Sequence, residues 1–333
     1  MASPNPDGSR KWRITVLISG SGSNLQALLS ALAPSHPLEH CQITSVLSSR
    51  SDAFGLTRAR TSTPPVPAEA FPLLRWRKAR EARGESATRQ EWEHELAQRI
   101  RQTRPDVVVL AGWMLILGEG FLNALVRDWD EEDDSPHASS SSASSPSPPL
   151  PSYDPSSALV ASGLPTPGRS PYSRSLLPQL KGRPIPIINL HPALPGQFPG
   201  AHAIQDAWEA FNVPSESRLR SSSSAAAEVL EGVSSAPAAP EGAEGAAEGQ
   251  QQQQPRRITK TGIMIHRVIP LLDAGAPVVV KEVPMVEGES LEDLEKRIHE
   301  VEHVGIVEAV GEVVRLVRGG EWWEEGEVGR AQE

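Results

Sequence analysis

PIINLHPALPGQFPGAH, residues 186–202, is the stretch whose reading decides the fold. Ile185, Ile187 and Ile188 make a short β-branched run of the kind that forms a buried strand. Pro192, Pro195, Pro199 and Gly200 then exclude regular structure, so the strand ends in a rigid loop. Residues two apart on a strand point to the same side, which brings the Asn189 amide and the His191 imidazole together at the strand's carboxyl end. Open α/β sheets bind their ligands there. The plainer alternative is a hydrogen-bonded asparagine and a satisfied histidine in a proline turn, and spacing alone leaves both readings open.

Outward from this strand the chain alternates strands and helices. WRITVLI (12–18) reads as a strand and runs into Ser19-Gly20-Ser21-Gly22-Ser23-Asn24, followed by LQALLSAL with helical spacing. Strand, glycine-rich turn and helix make the geometry in which N–H groups at a helix start cradle a phosphate. It is not the dinucleotide fingerprint, because Leu25 stands where the third glycine belongs, nor a P-loop, because no lysine follows. A tight turn with no ligand is the alternative. A strand is expected over 42–47, a loop and short helix over 48–60, and an amphipathic helix over 86–101 with Trp92, Leu96 and Ile100 at i, i+4 and i+8. VVVLAGWML (107–115) reads as one central strand buried on both faces. Helices are expected over 116–126, 202–211 and 289–317, the last with Leu294, Ile298 and Val301 on one face, and strands over 259–269 and 278–286. The expected fold is α/β, a mostly parallel doubly wound sheet.

Two stretches of the 333 residues carry too few apolar side chains to offset their ordering entropy. One, about 130–182, opens on an acidic run and continues Ser/Pro-rich; the other, about 216–257, is Ser/Ala/Glu/Gly-rich and ends in glutamines. Both read as disordered insertions in a single domain over 11–320, with flexible termini at 1–10 and 327–333. The formal net charge of −10 speaks against a nucleic-acid surface. A single cysteine, Cys41, excludes an intrachain disulfide framework and a Cys-based zinc site. With no apolar run approaching the ~20 residues of a membrane helix and no signal-peptide core at the start, the expectation is a soluble cytoplasmic protein without a membrane partner.

One further group bears on the chemistry: Asp273, in the turn LLDAGAP. Read plainly, it forms a turn beside a glycine. If it reaches His191, its carboxylate favours the protonated ring and fixes the ring's orientation. Asn, His and Asp together suit acyl transfer to an amine that the substrate brings. Ser19, Ser21 and Ser23 are ill placed as nucleophiles, since no GxSxG elbow is present.

The stretches ISGSGSNLQALL, SRSDAFGLTRAR, PDVVVLAGWMLIL, INLHPALPGQFPGAH, GIMIHRVIPLLDAG and EKRIHEVEH follow the order found in the phosphoribosylglycinamide formyltransferase family, which this chain resembles outside the two insertions. The Asn-x-His-Pro core is shared by folate-dependent formyltransferases and hydrolases; the GSGSN turn and the helix with Glu302-His303 narrow the resemblance. It implies a Rossmann-like formyltransferase fold and two small-molecule substrates, glycinamide ribonucleotide and 10-formyltetrahydrofolate, with no metal. On this resemblance the catalytic residues are Asn189, His191 and Asp273. Gly22, Ser23 and Asn24 hold the phosphate and Glu302 the ribonucleotide. The folate pocket falls on Met114, Leu115, Ile116, Leu117, Leu122 and the loop from Val268 to Asp273, with Arg89 on the folate's glutamate tail. Weak association with other purine-pathway enzymes is left open, and the insertions point to a eukaryotic, fungal, single-function form. This chain departs from the family in three places: Leu115 replaces an arginine, His299 replaces a glutamine, and one extra residue within 274–276 lengthens the turn after Asp273. A formyltetrahydrofolate hydrolase and a non-catalytic nucleotide-binding module are the rival readings.

Overall fold

The computed structural model describes residues 10–127, 183–212 and 258–323. The insertions expected at 130–182 and 216–257, and the terminal segment 327–333, lie outside them. Among the described residues the strands are β1 (Trp12–Ile18), β2 (Cys41–Ser48), β3 (Ala68–Ala70), β4 (Val107–Leu110), the short β5 (Val126–Arg127) and β6 (Arg183–Pro184), β7 (Ile187–His191), β8 (Lys260–Arg267) and β9 (Pro277–Pro284). The helices are α1 (Ser23–Ala31), α2 (Phe54–Thr61), α3 (Leu73–Glu81), α4 (Arg89–Gln102), α5 (Glu119–Ala124), α6 (Ala203–Asn212) and α7 (Leu291–Gly319).

Seven strands make one sheet in the order β3-β2-β1-β4-β7-β8-β9. Its first five strands are parallel to their neighbours, and β8 then runs antiparallel to both β7 and β9. The mostly parallel sheet read from the sequence is therefore what forms. Strand alternation sends Ile14, Val16, Ile18, Val107, Val109, Ile188 and Leu190 into one core, covered by α1 and α7. Leu17, Val108, Leu110 and Ile187 go into the other, covered by α4 and α5. Burial on both faces is why β4 reads as an unbroken apolar run. Asn189 and His191 share the face of Ile187, at the end of β7 where helical cover gives out.

Several element boundaries differ from the sequence reading. The run 107–115 is a strand for four residues only: Gly112 turns the chain at φ 78°, and Ala111 and Trp113 are buried in the loop rather than in the sheet. The helix expected over 116–126 is the six-residue α5. The one expected from residue 86 begins at Arg89, because Thr88 caps it: the Glu91 N–H donates to Thr88 Oγ1 at 3.3 Å and the Thr88 N–H to Glu91 Oε2 at 2.8 Å. Strand β3 and helix α3 had no counterpart in that reading. Arg10, expected in a flexible terminus, is held by Asp106 through bonds of 2.7 and 2.9 Å.

Strands β5 and β6 pair antiparallel, Val126 with Pro184 and Arg127 with Arg183. Arg127 also donates to Asp106, the fully buried carboxylate at the foot of β4. No helix among the described residues is long and apolar enough to cross a membrane.

Candidate active site

Chain connections leave β1 and β4 in opposite directions, and a crevice opens between the two strand ends. It widens into a cleft of about 1060 Å³. Its walls are the turn after β1, the loop after β4, the end of β7 with the loop after β8, and one face of α7.

In the first wall, Gly22 caps α1 in the left-handed region at φ 72°. The first intrahelical bond runs from Gln26 N to Gly22 O, so the N–H groups at the start of α1 have no helical acceptor. Such groups attract an anion. A Cβ on Gly22 would lie 2.6 Å from Gly55 Cα, whereas one on Gly20 would meet nothing within 4 Å. Glycine at 22 is thus required by its conformation and by α2, and the open position facing the cleft is Gly20. Asn24 donates to Glu302 Oε2 at 3.0 Å, tying α1 to α7. Burial pushes the Glu302 carboxyl above its ordinary range, more than the Asn24 bond and nearby His299 lower it.

The second wall is apolar. Met114 and Ile116 are 66% and 62% exposed at the mouth, Leu115 is half-buried and Leu117 buried, and all four line the cleft. Trp113 stacks on Trp92, which stacks on Phe71, at centroid distances of 6.4 and 5.7 Å, so this loop leaves the sheet on a rigid base. Ser19, buried where the two walls meet, shares a 2.6 Å hydrogen bond with Ser49 Oγ and accepts from Met114 N at 3.0 Å.

The third wall brings together the side chains of most chemical interest. Asp273 Oδ2 lies 3.5 Å from His191 Nδ1 and accepts from Gly200 N at 3.1 Å. Its Oδ1 lies 3.4 Å from Asn189 Nδ2 and 3.5 Å from His266 Nε2. The longer turn after Asp273 does not carry it away. Register between β8 and β9 slips between Ile265 and His266, a bulge that takes up chain length, and Gly275 lies flush on Arg267, where a Cβ would collide with the carbonyl. Asp273 itself has φ 49°, a left-handed conformation that aspartate adopts more readily than most residues.

Burial pushes the His191 imidazole below its ordinary value; the charge of Asp273 and the backbone at Gln197 and Phe198 act the other way without overcoming it. The ring expected to be protonated is therefore neutral near pH 7. Nδ1 lies 3.5 Å from Asp273 Oδ2, which favours the tautomer protonated there, and the buried Nε2 has no hydrogen-bond partner among the described residues. Burial acts to raise the Asp273 carboxyl, but the His266 ring at 3.5 Å, the His191 charge and the Gly200 N–H outweigh it and hold it low.

His266, not singled out in the sequence, is part of this wall. It is the cross-strand partner of Asn189, its Nδ1 bonds Arg267 O at 2.9 Å, and its Nε2 lies 3.2 Å from Asn189 Nδ2. A histidine ending the apolar alternation GIMIH, on a strand that pairs with INLH, was the available signal. Val268 lines the cleft as expected. Two expected folate residues do not. Leu122 is buried in the core under α4, and Arg89 turns to Glu93 at 3.0 Å and to the Ile116 carbonyl. The described residues hold no cluster of three or more His, Cys, Asp or Glu arranged for a metal.

A family model described as formyl transferase matches residues 12–128 and 244–310, together just over half of the chain, and passes over the stretch with Asn189 and His191. Whole-length relatives span that stretch. The phosphoribosylglycinamide formyltransferase of Saccharomyces cerevisiae is 30% identical over 91% of this chain and 97% of its own length. That of Schizosaccharomyces pombe is 31% identical over 90% and 96%. Among solved structures, glycinamide ribonucleotide transformylase 1 from Symbiobacterium toebii aligns over 93% of this chain and 89% of its own with a TM-score of 0.52 and 24% identity, a likeness of fold. A sheet with this strand order, a cleft at its reversal point and sequence matches of this extent place the chain in the formyl transferase family.

Proposed function

We propose that the protein transfers the formyl group of 10-formyltetrahydrofolate to the amine of glycinamide ribonucleotide, giving formylglycinamide ribonucleotide and tetrahydrofolate, a step of de novo purine synthesis. The observation that carries this reading is that one cleft joins an anion-attracting helix start, an apolar loop and an Asn–His–Asp wall. The ribonucleotide's phosphate lies on the turn 20–24 with its sugar toward Glu302, and the folate's ring system lies between Met114–Leu117 and Val268–Asp273.

The glycyl nitrogen attacks the formyl carbon. As the new C–N bond forms, the formyl oxygen takes up negative charge. Asn189 has one amide proton directed at His266 Nε2; the other has only the 3.4 Å contact with Asp273, at the limit of a hydrogen bond, and can turn to the formyl oxygen. His191 Nε2 accepts the proton that the attacking amine must lose, and the imidazolium so formed is stabilised by Asp273. The bond from the formyl carbon to the folate nitrogen then breaks, and the proton goes to that nitrogen. No covalent enzyme intermediate is needed.

A single assay tests the reading: protein and 10-formyltetrahydrofolate are mixed with and without glycinamide ribonucleotide, and tetrahydrofolate is followed. Release that depends on the ribonucleotide is expected. Equal release without it would mean that water is the acceptor, and no release in either mixture would leave a binding module.

A further inference from the structure

The Asn–His–Asp wall uses one face of the sheet, and His266 lies on that face. Arg267, next along β8, is directed to the other. There its guanidinium lies 3.9 Å from the centre of the Trp322 ring, and Nη1 donates to the Trp322 carbonyl at 2.6 Å. Trp322 belongs to a single 3-10 turn, Glu321–Trp323, set off from α7 by Gly320 in the left-handed region at φ 81°. The turn is anchored independently of Arg267. Trp322 is buried in the core that α7 covers, and Trp323 donates to the Pro184 carbonyl at 3.3 Å with the Arg183 guanidinium 5.3 Å from its ring.

The site feels this clamp through the Arg267 backbone. The Arg267 carbonyl accepts from His266 Nδ1 at 2.9 Å. A carbonyl oxygen can only accept, so Nδ1 carries the proton, and in the neutral ring Nε2 is the acceptor that Asn189 Nδ2 meets at 3.2 Å. One carbonyl therefore sets the tautomer that orients Asn189. It stands at an irregularity: the β8–β9 register slips between Ile265 and His266, and Arg267 N donates to Ala276 O at 2.9 Å. At a bulge the ladder fixes the chain less tightly than regular pairing does, so a side-chain clamp has leverage there.

We propose that Arg267, clamped by Trp322, is a positioning residue for the formyl transfer: it holds the carbonyl that sets the His266 tautomer and, through that ring, the Asn189 donor. This rests on the formyltransferase reading and adds to it a pair of residues on the side of the sheet away from the cleft.

The test joins steady-state kinetics to histidine nitrogen NMR of the full chain, the His266 signals being those that vanish in His266→Gln. In the wild type His266 should be protonated at Nδ1. Arg267→Met keeps the stem and removes the charge and the donor. It should lower kcat roughly three- to tenfold, a part of the loss expected from removing an oxyanion donor outright, with both KM values little changed. The Nε2-protonated tautomer of His266 should appear in the same variant. Trp322→Ala should act alike, and Trp322→Phe, which keeps a ring and the backbone acceptor, should recover most of that loss. If Trp322→Ala does not fold, Arg267→Met decides. A clamp that only stabilises would lower Tm and leave kcat and the tautomer as they are, and that result overturns the proposal. So does a fall in kcat with His266 still protonated at Nδ1. A wild-type protein without ribonucleotide-dependent transfer defeats the formyltransferase reading instead, and the tautomer in Arg267→Met then upholds or overturns the clamp by itself.

Discussion

Asn189 and His266 face each other across the antiparallel pair β7–β8, and their side chains meet at 3.2 Å, Nδ2 to Nε2. Asp273 Oδ1 closes the group from above, so the amide is oriented by a ring on one side and a carboxylate on the other. In the proposed reaction His266 would act as a positioning residue. In His266→Ala the Asn189 donor loses its acceptor, an unmade buried hydrogen bond that costs about 1–3 kcal/mol. Turnover should fall on the order of ten- to a hundredfold with both Michaelis constants little changed. His266→Gln, whose Oε1 can accept from Asn189, should recover part of the loss. A fall in affinity without a fall in kcat would remove His266 from this role.

Asp273→Asn keeps the side-chain shape, and asparagine tolerates the left-handed backbone at this position. It removes the charge that partly offsets burial of His191, so the imidazole should titrate lower still. If the neutral ring accepts the amine's proton, activity rises with pH through the His191 pKa. That acid limb lies below 6.5 in the wild type and should move to lower pH in the variant, while the weaker base costs roughly a hundred- to ten-thousandfold in turnover. Histidine NMR titration beside the pH–rate profile checks both parts. An unmoved His191 resonance would break the proposed coupling.

On the proposed reading, Gly20 and Gly22 let phosphate binding be told apart from packing. Gly20→Val adds bulk where a Cβ has open space, and should raise the ribonucleotide KM well above any effect on the folate KM. Gly22→Val drives a Cβ into Gly55 and forces a left-handed β-branched residue, so it should lower Tm and impair both substrates. If Gly20→Val leaves the ribonucleotide KM unchanged, the phosphate lies elsewhere.

Glu302 carries a stability signature. Its folded pKa is raised by burial, so the folded state is favoured by the protonated form and loses that advantage as pH rises through the folded pKa. Glu302→Gln keeps an acceptor for Asn24 and has no charge to bury. Its Tm should match the wild type in acid and exceed it by a growing margin as pH rises toward neutrality. A constant difference across pH would mean that Glu302 carries no burial cost.

What could be read in advance followed burial. Strands β1 and β4 and the Trp92–Leu96–Ile100 face of α4 announce themselves because both faces of the sheet are covered and each apolar side chain has somewhere to go. Helix α3 was illegible for the opposite reason: with no buried residue it has no apolar period. The run 107–115 misled because Ala111 and Trp113 are buried by loop packing, which composition cannot tell from strand burial. Asn189 and His191 stand out by their setting at a strand end, Asp273 is named through the family resemblance, and the structure brings the three together. His266 looked like one more residue of a strand until the β7–β8 register set it opposite Asn189.

Strands β5 and β6 carry a practical consequence. Because Arg127 and Arg183 are cross-strand partners, the chain departs from the folded body and rejoins it at one point, at the opposite end of β7 from His191. A junction of that kind works as a port. A foreign domain whose own termini lie close together, such as a fluorescent reporter, can be spliced between these two arginines without stretching β4 or β7. The cleft would remain at the far end of the sheet, so binding there could be followed with a label that never touches it.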